Sequence, residues 1–231
     1  MRILAIETSS DHGSLALADH GDIDCVDLEA GPAQSTTALA KLRALLEGRQ
    51  LSVRDIDAIA FGSGPGMFTG LRLGCGLAQG LAIGLVRPVV AVSSLEALAQ
   101  QSTATHIVAA TDARMGEVYS QCFVRTEDGL KACVEASCRP PESLALPDSP
   151  ASWEGVGNAF EVYADRLPDA MRSRVEVLAS HTRPHARDVL AIASRRLARG
   201  ESSPLSDVVP HYVRNKVALT TRERLERGGR V

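Results

Sequence analysis

The spacing of apolar positions changes character twice within residues 58–86, AIAFGSGPGMFTGLRLGCGLAQGLAIGLV. A short apolar run ends at Phe61, a glycine-rich turn follows (Gly62, Gly64, Pro65, Gly66), and apolar residues then resume as far as Val86. That order predicts a strand, a tight loop and a helix, with Thr69 at the helix N-cap. From 73 to 86 the helix carries no charge, and Gln79 is its only strongly polar side chain. A surface helix needs a polar stripe, and one that is apolar all round is buried all round. Its own sheet supplies one covering. The second points to another protein.

Elsewhere the pattern is more ordinary. Residues 2–8 are rich in Ile, Leu and Ala, as in a strand buried on both faces. Polar turns at 9–13 and 20–22 separate it from strands at 14–18 and 23–28, a meander. Leu39, Leu42, Leu45 and Leu46 have helical spacing within 35–47, where Ser35 or Thr36 can cap and Gly48 stops the helix. Ser52-Val53-Arg54-Asp55 has the S-x-x-D capping pattern. With a strand at 88–92 and a helix at 94–101, the first hundred residues read βββαβαβα, an α/β domain on a mixed sheet.

A second meander covers 106–111, 117–124 and 130–135. Residues 139–150 hold four prolines and read as loop with one helical turn at 142–146. A strand at 153–157, a helix near 159–167 and a strand at 175–178 follow. The helix at 186–199 is introduced by Pro184, buries Val189, Leu190, Ala193 and Leu197, and ends before Gly200. Residues 210–214 read as a tether. The expected division is 1–104, a smaller unit 105–215, and a mobile tail 216–231. Both units open with a strand, a polar turn carrying an acid and a returning strand: Glu7 with 9–13, and Asp112 with 114–116. Such a duplication suggests the actin-like ATPase fold, in which two related domains clamp a nucleotide between paired hairpin turns.

Composition narrows the class. The chain has 231 residues, 45% of them hydrophobic and 23% charged, enough for one large domain or two modest ones. A net charge of -3 argues against a generally basic nucleic-acid-binding surface. The tail differs: residues 216–231 carry five basic and two acidic side chains, suited to weak contact with nucleic-acid phosphates. Five cysteines form no C-x-x-C pair, which fits a reducing cytoplasm. The N-terminal apolar run is too short for a signal sequence, and the segment 71–86 is short and interrupted by glycine, so no membrane span is expected.

The Gly62–Gly66 loop could cradle phosphate at a helix N-terminus, or could simply be a tight turn that needs glycine. It is neither a Walker loop, lacking Gly-Lys-Ser/Thr, nor a dinucleotide fingerprint, lacking the third glycine. Glu7 and Asp112 are the best acids for a metal–nucleotide site, so Glu7, Thr8, Ser9, Gly64, Gly66 and Asp112 are the candidate nucleotide-binding residues. Gly76, Gly80 and Gly84 share one helix face, each costing about 1 kcal/mol against alanine, which close approach of another element would offset. Leu73, Leu77, Gly80, Leu81 and Gly84 are the candidate partner interface. His181 and His185 have the i, i+4 spacing of metal ligands, but Pro184 interrupts them and they read as surface histidines. Cys75 reads as packing. No G-x-S-x-G nucleophile elbow exists, and neither a catalytic constellation nor a metal site is expected.

ILAIETSS (3–10), GSGPGMFTGLRLG (62–74) and DARMGEVY (112–119), with VVAVSSLEALA (89–99) and PHYVRN (210–215), together resemble the TsaB (YeaZ) family. The resemblance implies an actin-like ATPase (ASKHA) fold of two related mixed-sheet domains, the second shortened. It implies a partner subunit in the synthesis of N6-threonylcarbamoyladenosine next to the tRNA anticodon. Such a subunit acts with a TsaD-type catalytic subunit and a TsaE-type ATPase, with tRNA reached through the complex, a homodimer possible and nucleotide possible at the complex interface. TsaD-like relatives carry two histidine metal ligands, H-x-x-x-H, where this chain has Ser94 and Leu98, and these cannot hold the metal. The alternatives are a small actin-fold ATPase or phosphotransferase, and a glycoprotease-like peptidase.

Overall fold

The structure, a computed structural model, describes residues 1–148, 152–178 and 183–214. Two mixed sheets are built in sequence. The first takes β1 (Arg2–Glu7), β2 (His12–Asp19), β3 (Asp22–Ala30), β4 (Ala58–Gly64) and β5 (Val89–Ser93), in the order β3-β2-β1-β4-β5. The second takes β6 (His106–Arg114), β7 (Glu117–Thr126), β8 (Gly129–Ala132), β10 (Trp153–Val156) and β11 (Val175–Val177), ordered β11-β10-β6-β7-β8, with β9 (Ser137–Arg139) also on β7. In each sheet an antiparallel meander flanks the opening strand on one side and parallel strands flank it on the other. The duplication suggested by Glu7 and Asp112 is therefore a repeat of strand order.

Helices α1 (Ala33–Glu47) and α2 (Phe68–Leu85) cover one face of the first sheet, sealing Leu4, Ile6, Ile59 and Phe61. The other face receives α6 (Ala186–Ala198), whose Val189, Leu190 and Ala193 lie on Ile3, Ala5, Ala60 and Val90. Thus α6, placed by the sequence within 105–215, packs on the sheet built by the first hundred residues. Helix α3 (Ser94–Gln100) sits between the sheets: Ala97 enters the first core, and Leu95, Leu98 and Ala99 enter the second. The short helices α4 (Ala159–Val162) and α5 (Asp169–Arg174) close the outer face of the second sheet around Trp153 and Phe160.

Boundaries shift where the backbone finds partners that the pattern does not show. Helix α1 begins at Ala33, so Ser35 and Thr36 lie inside its first turn and donate to the carbonyls of Pro32 and Ala33 instead of capping. Helix α2 begins at Phe68, not after Thr69, because Met67 donates its N–H to Ser9 O and accepts from Leu71 N–H. The Ser52–Asp55 capping pattern holds a single 3-10 turn, Val53–Asp55. The helical turn expected at 142–146 is a 3-10 turn at Pro141–Ser143. Residues 215–231, and with them the basic tail, lie outside the described residues, as does His181.

Candidate functional site

The β1–β2 and β6–β7 turns face each other across a cleft of about 180 Å³ lined by Ser9, Asp11, Gly66, Asp112, Arg114 and Asn158 among others. Arg114 spans it, 2.5 Å from Asp11 and 3.3 Å from Asp112. The Asp112 carboxylate also accepts from the Arg114 N–H at 2.8 Å and the Tyr163 hydroxyl at 2.7 Å. Three of its roughly four acceptor positions are thus taken by protein donors. Asn158 receives the Asp112 N–H at 2.9 Å, and burial together with the bond to Asp112 raises the Tyr163 phenol pKa, keeping it a donor. The charges in the cleft are spent within the chain.

Behind the cleft, Glu7 and Thr8 are fully buried. The Glu7 carboxylate accepts from Ser9 N–H at 2.6 Å and from the Ser94 hydroxyl at 3.0 Å, while Ser94 accepts from Gly64 N–H at 3.2 Å. Burial outweighs these donors and raises the Glu7 pKa. A Cβ at residue 62 would sit 1.9 Å from Glu7 Oε2, which is why β4 carries glycine there. Thr8 donates to Gly70 O at 2.7 Å, and Cβ atoms at 66 and 70 would meet Ser9 O at 2.4 Å and Thr8 O at 1.8 Å. The glycine loop therefore makes room for the chain's own main chain at 8–9.

Of the six candidate nucleotide-binding residues, Ser9, Gly66 and Asp112 line the cleft. Glu7 and Thr8 lie behind it, and Gly64, at φ +110°, faces His211 O. Arg114, Asn158, Tyr163 and the Ser94 bond to Glu7 were not singled out as site residues from sequence. A buried acid in an apolar strand signals that a donor exists, but that donor is 87 residues away. His185, the described member of the histidine pair, caps α6 by accepting from Arg187 N–H. Among the described residues, no group of three or more His, Cys, Asp or Glu side chains is gathered to hold a metal.

Helix α2 buries Leu71, Cys75, Ala78 and Ala82, and half-buries Leu73, Leu77 and Leu81. Around Cβ positions at Gly76, Gly80 and Gly84 there is open space, and Ile83 beside them is 63% exposed. Gln79 donates to Val208 O at 2.6 Å, so even the polar side chain of α2 serves the chain's own packing. By length and composition alone α2 is apolar enough to cross a membrane, a property that a helix packed on a sheet can share. Its ends are joined to β4 and β5, hydrogen-bonded parallel neighbours in one sheet, and that connection holds it on the sheet.

A family model described as "TsaD: tRNA N6-adenosine threonylcarbamoyltransferase" matches residues 29–221. The chain is 36% identical over 228 residues to the tRNA threonylcarbamoyladenosine biosynthesis protein TsaB of Escherichia coli K12, covering 94% of this chain and 96% of that one. It belongs to the TsaB (YeaZ) family. TsaB of Haemophilus influenzae is 30% identical over 94% of the chain and 95% of its own length. YeaZ from Pseudomonas aeruginosa superposes with a TM-score of 0.83 at 37% identity, covering 91% of this chain and 99% of that one. The paired sheets are thus the actin-like ATPase fold in its TsaB form, the fold that the motifs at 3–10, 62–74 and 112–119 suggested.

Proposed function

We propose that this TsaB-family chain is a non-catalytic partner subunit in tRNA threonylcarbamoyladenosine synthesis. It acts in the cytoplasm, pairs with a TsaD-type catalytic subunit, works with a TsaE-type ATPase and meets tRNA through the complex. One observation carries the reading: the open glycine face of α2. Three glycines in a helix cost about 1 kcal/mol each against alanine, and among the described residues no element approaches them to offset it. Leu73, Leu77, Gly80, Leu81 and Gly84 are the proposed contact, with Gly76 and Ile83 added by the exposed stripe. The same face could join two copies of the chain when the catalytic subunit is absent.

The cleft supports the non-catalytic half. Asp112 is committed to Arg114 and Tyr163, and Glu7 is sealed behind Ser94, so neither acid is free to hold a metal–nucleotide. Ser94 and Leu98, at the positions aligned with the TsaD metal ligands, are fully buried, one bound to Glu7 and the other in the core. Against the peptidase alternative, the serines of the glycine loop and of the α3 N-terminus are not free nucleophiles: Ser63 and Ser94 spend their hydroxyls on Val92 O and Glu7. The test is reconstitution with a TsaD-type subunit and a TsaE-type ATPase. Threonylcarbamoyl transfer should require this chain and be lost with Gly80→Arg, while the chain alone turns over neither ATP nor threonylcarbamoyl-adenylate. Turnover by the chain alone, abolished by Asp112→Ala, overturns the proposal in favour of an enzyme.

A further inference from the structure

An apolar groove of about 250 Å³ opens beside the cleft, between the Gly66–Phe68 loop, the β6–β7 turn and residues 211–214. Its rim exposes large side chains: Phe68 is 44% accessible, Tyr212 46% and Met115 73%. They are held in place. The Phe68 and Tyr212 rings lie 5.5 Å apart, the Arg72 guanidinium sits 3.8 Å above the Phe68 ring, and Arg72 Nε donates to the Tyr212 hydroxyl at 3.2 Å. A rim already ordered in this way loses little side-chain entropy when it is covered.

A second observation comes from the turn that carries Met115. Arg114 and Met115 both have left-handed backbones, φ +62° and +57°, in a turn type that favours Asn and Gly. Each such residue costs about 1 kcal/mol or more. Arg214 holds the turn through bonds to Ala113 O and Arg114 O, at 3.0 and 3.1 Å. Strain and apolar exposure thus meet at one methionine beside the groove, 73% exposed and touched at its sulfur by the Arg214 guanidinium at 3.8 Å.

Charge identifies the occupant. Asp112, which lines the groove, and Glu117, which follows its turn, are already paired with Arg114 and Arg214. Arg72 has no carboxylate partner among the described residues, although its planar donors suit one well. We propose that this groove docks a segment of a partner protein in which a large apolar side chain is flanked by carboxylates. The apolar residue enters between Phe68, Met115 and Tyr212, and an acid pairs with Arg72. The site is distinct from the glycine face of α2 and stands whether or not that face binds a catalytic subunit.

Fluorescence anisotropy of fluorescein-labelled Glu-Glu-Leu-Phe-Glu-Glu on the full chain at low ionic strength tests this. Saturable binding is expected, weakened by about tenfold in Arg72→Glu and in Met115→Glu, and Arg72→Glu should now prefer the peptide with lysines in place of the glutamates. Both side chains are exposed, so circular dichroism should show both variants folded; should one unfold, the other decides. Gly80→Arg should leave peptide binding unchanged, which separates this site from the subunit contact. The proposal is overturned by absence of saturation, or by equal binding of the lysine peptide or of one with Leu-Phe replaced by Ala-Ala. Binding that emerges only when residues 215–231 are deleted also overturns it, assigning the groove to the chain's own tail.

Discussion

At residue scale, the pocket of Glu7 shows how one buried acid dictates its neighbours. Burial holds its carboxyl above the ordinary 4.5 although Ser9 and Ser94 donate to it. Between pH 4.5 and that raised value the folded chain keeps a proton that the unfolded chain has released. The stability contributed by this proton is complete below 4.5 and is lost as pH rises through the folded value. Glu96 adds a loss of the same sign, since burial raises it despite Arg196. Glu7→Gln should remove its own share, so thermal melts from pH 4.5 to 8 should diverge in favour of the variant as pH rises. Parallel curves would refute this. Gly62 is the second half of the same pocket: Gly62→Ala should cost about 3 kcal/mol or more, since Glu7 cannot give way between its donors. Pairing it with Glu7→Ala should recover much of that loss, a coupling measurable by denaturant unfolding.

At the scale of elements, α2 shows what the pattern of apolar residues can and cannot reveal. That it is a helix, that it follows a glycine turn and that it lacks a polar face were all legible in 58–86. Its first residue was not, because Met67 is held by Ser9, a partner 58 residues earlier. Nor was the division of its glycines. Gly70 and Gly74 lie against Thr8, whereas Gly76, Gly80 and Gly84 face open space, and spacing alone cannot separate the two groups. They should therefore respond oppositely. Alanine at 76, 80 or 84 should stabilise the free chain by about 0.5–1 kcal/mol each in denaturant titrations, by the helix propensity gained. Alanine at 70 should destabilise it, since its Cβ would meet a main-chain oxygen at 1.8 Å. A uniform response would mean that the glycine face is packed in solution. Strand β9 and helix α5 escaped the sequence for a different reason: neither completes two periods of its pattern.

At the scale of the whole molecule, the chain is threaded so that neither sheet is finished by its own half. Residues 1–104 build the first sheet but leave Ile3, Ala5, Ala60 and Val90 for α6 to cover. Beyond α6 the chain runs back past both sheets: Ser203 bonds Val89, Val208 fills the core beneath α2, His211 N–H reaches Ser63 O at 2.6 Å, and Arg214 pairs with Glu117 at 2.7 Å. Helix α3 adds apolar side chains to both cores. A chain joined in this way should unfold as one unit although its strand order is duplicated. The single tryptophan, Trp153, is 2% exposed in the second sheet, so its fluorescence follows that sheet alone, whereas far-ultraviolet circular dichroism follows both. The two signals should give one coincident transition in urea. Residues 1–104 expressed alone should fail to show a cooperative transition, and a peptide of residues 183–200 added in trans should restore one by covering the open face. Two separated transitions in the full chain, or a cooperative melt from 1–104 without the peptide, would show that the sheets are independent domains and that α6 is only an added layer.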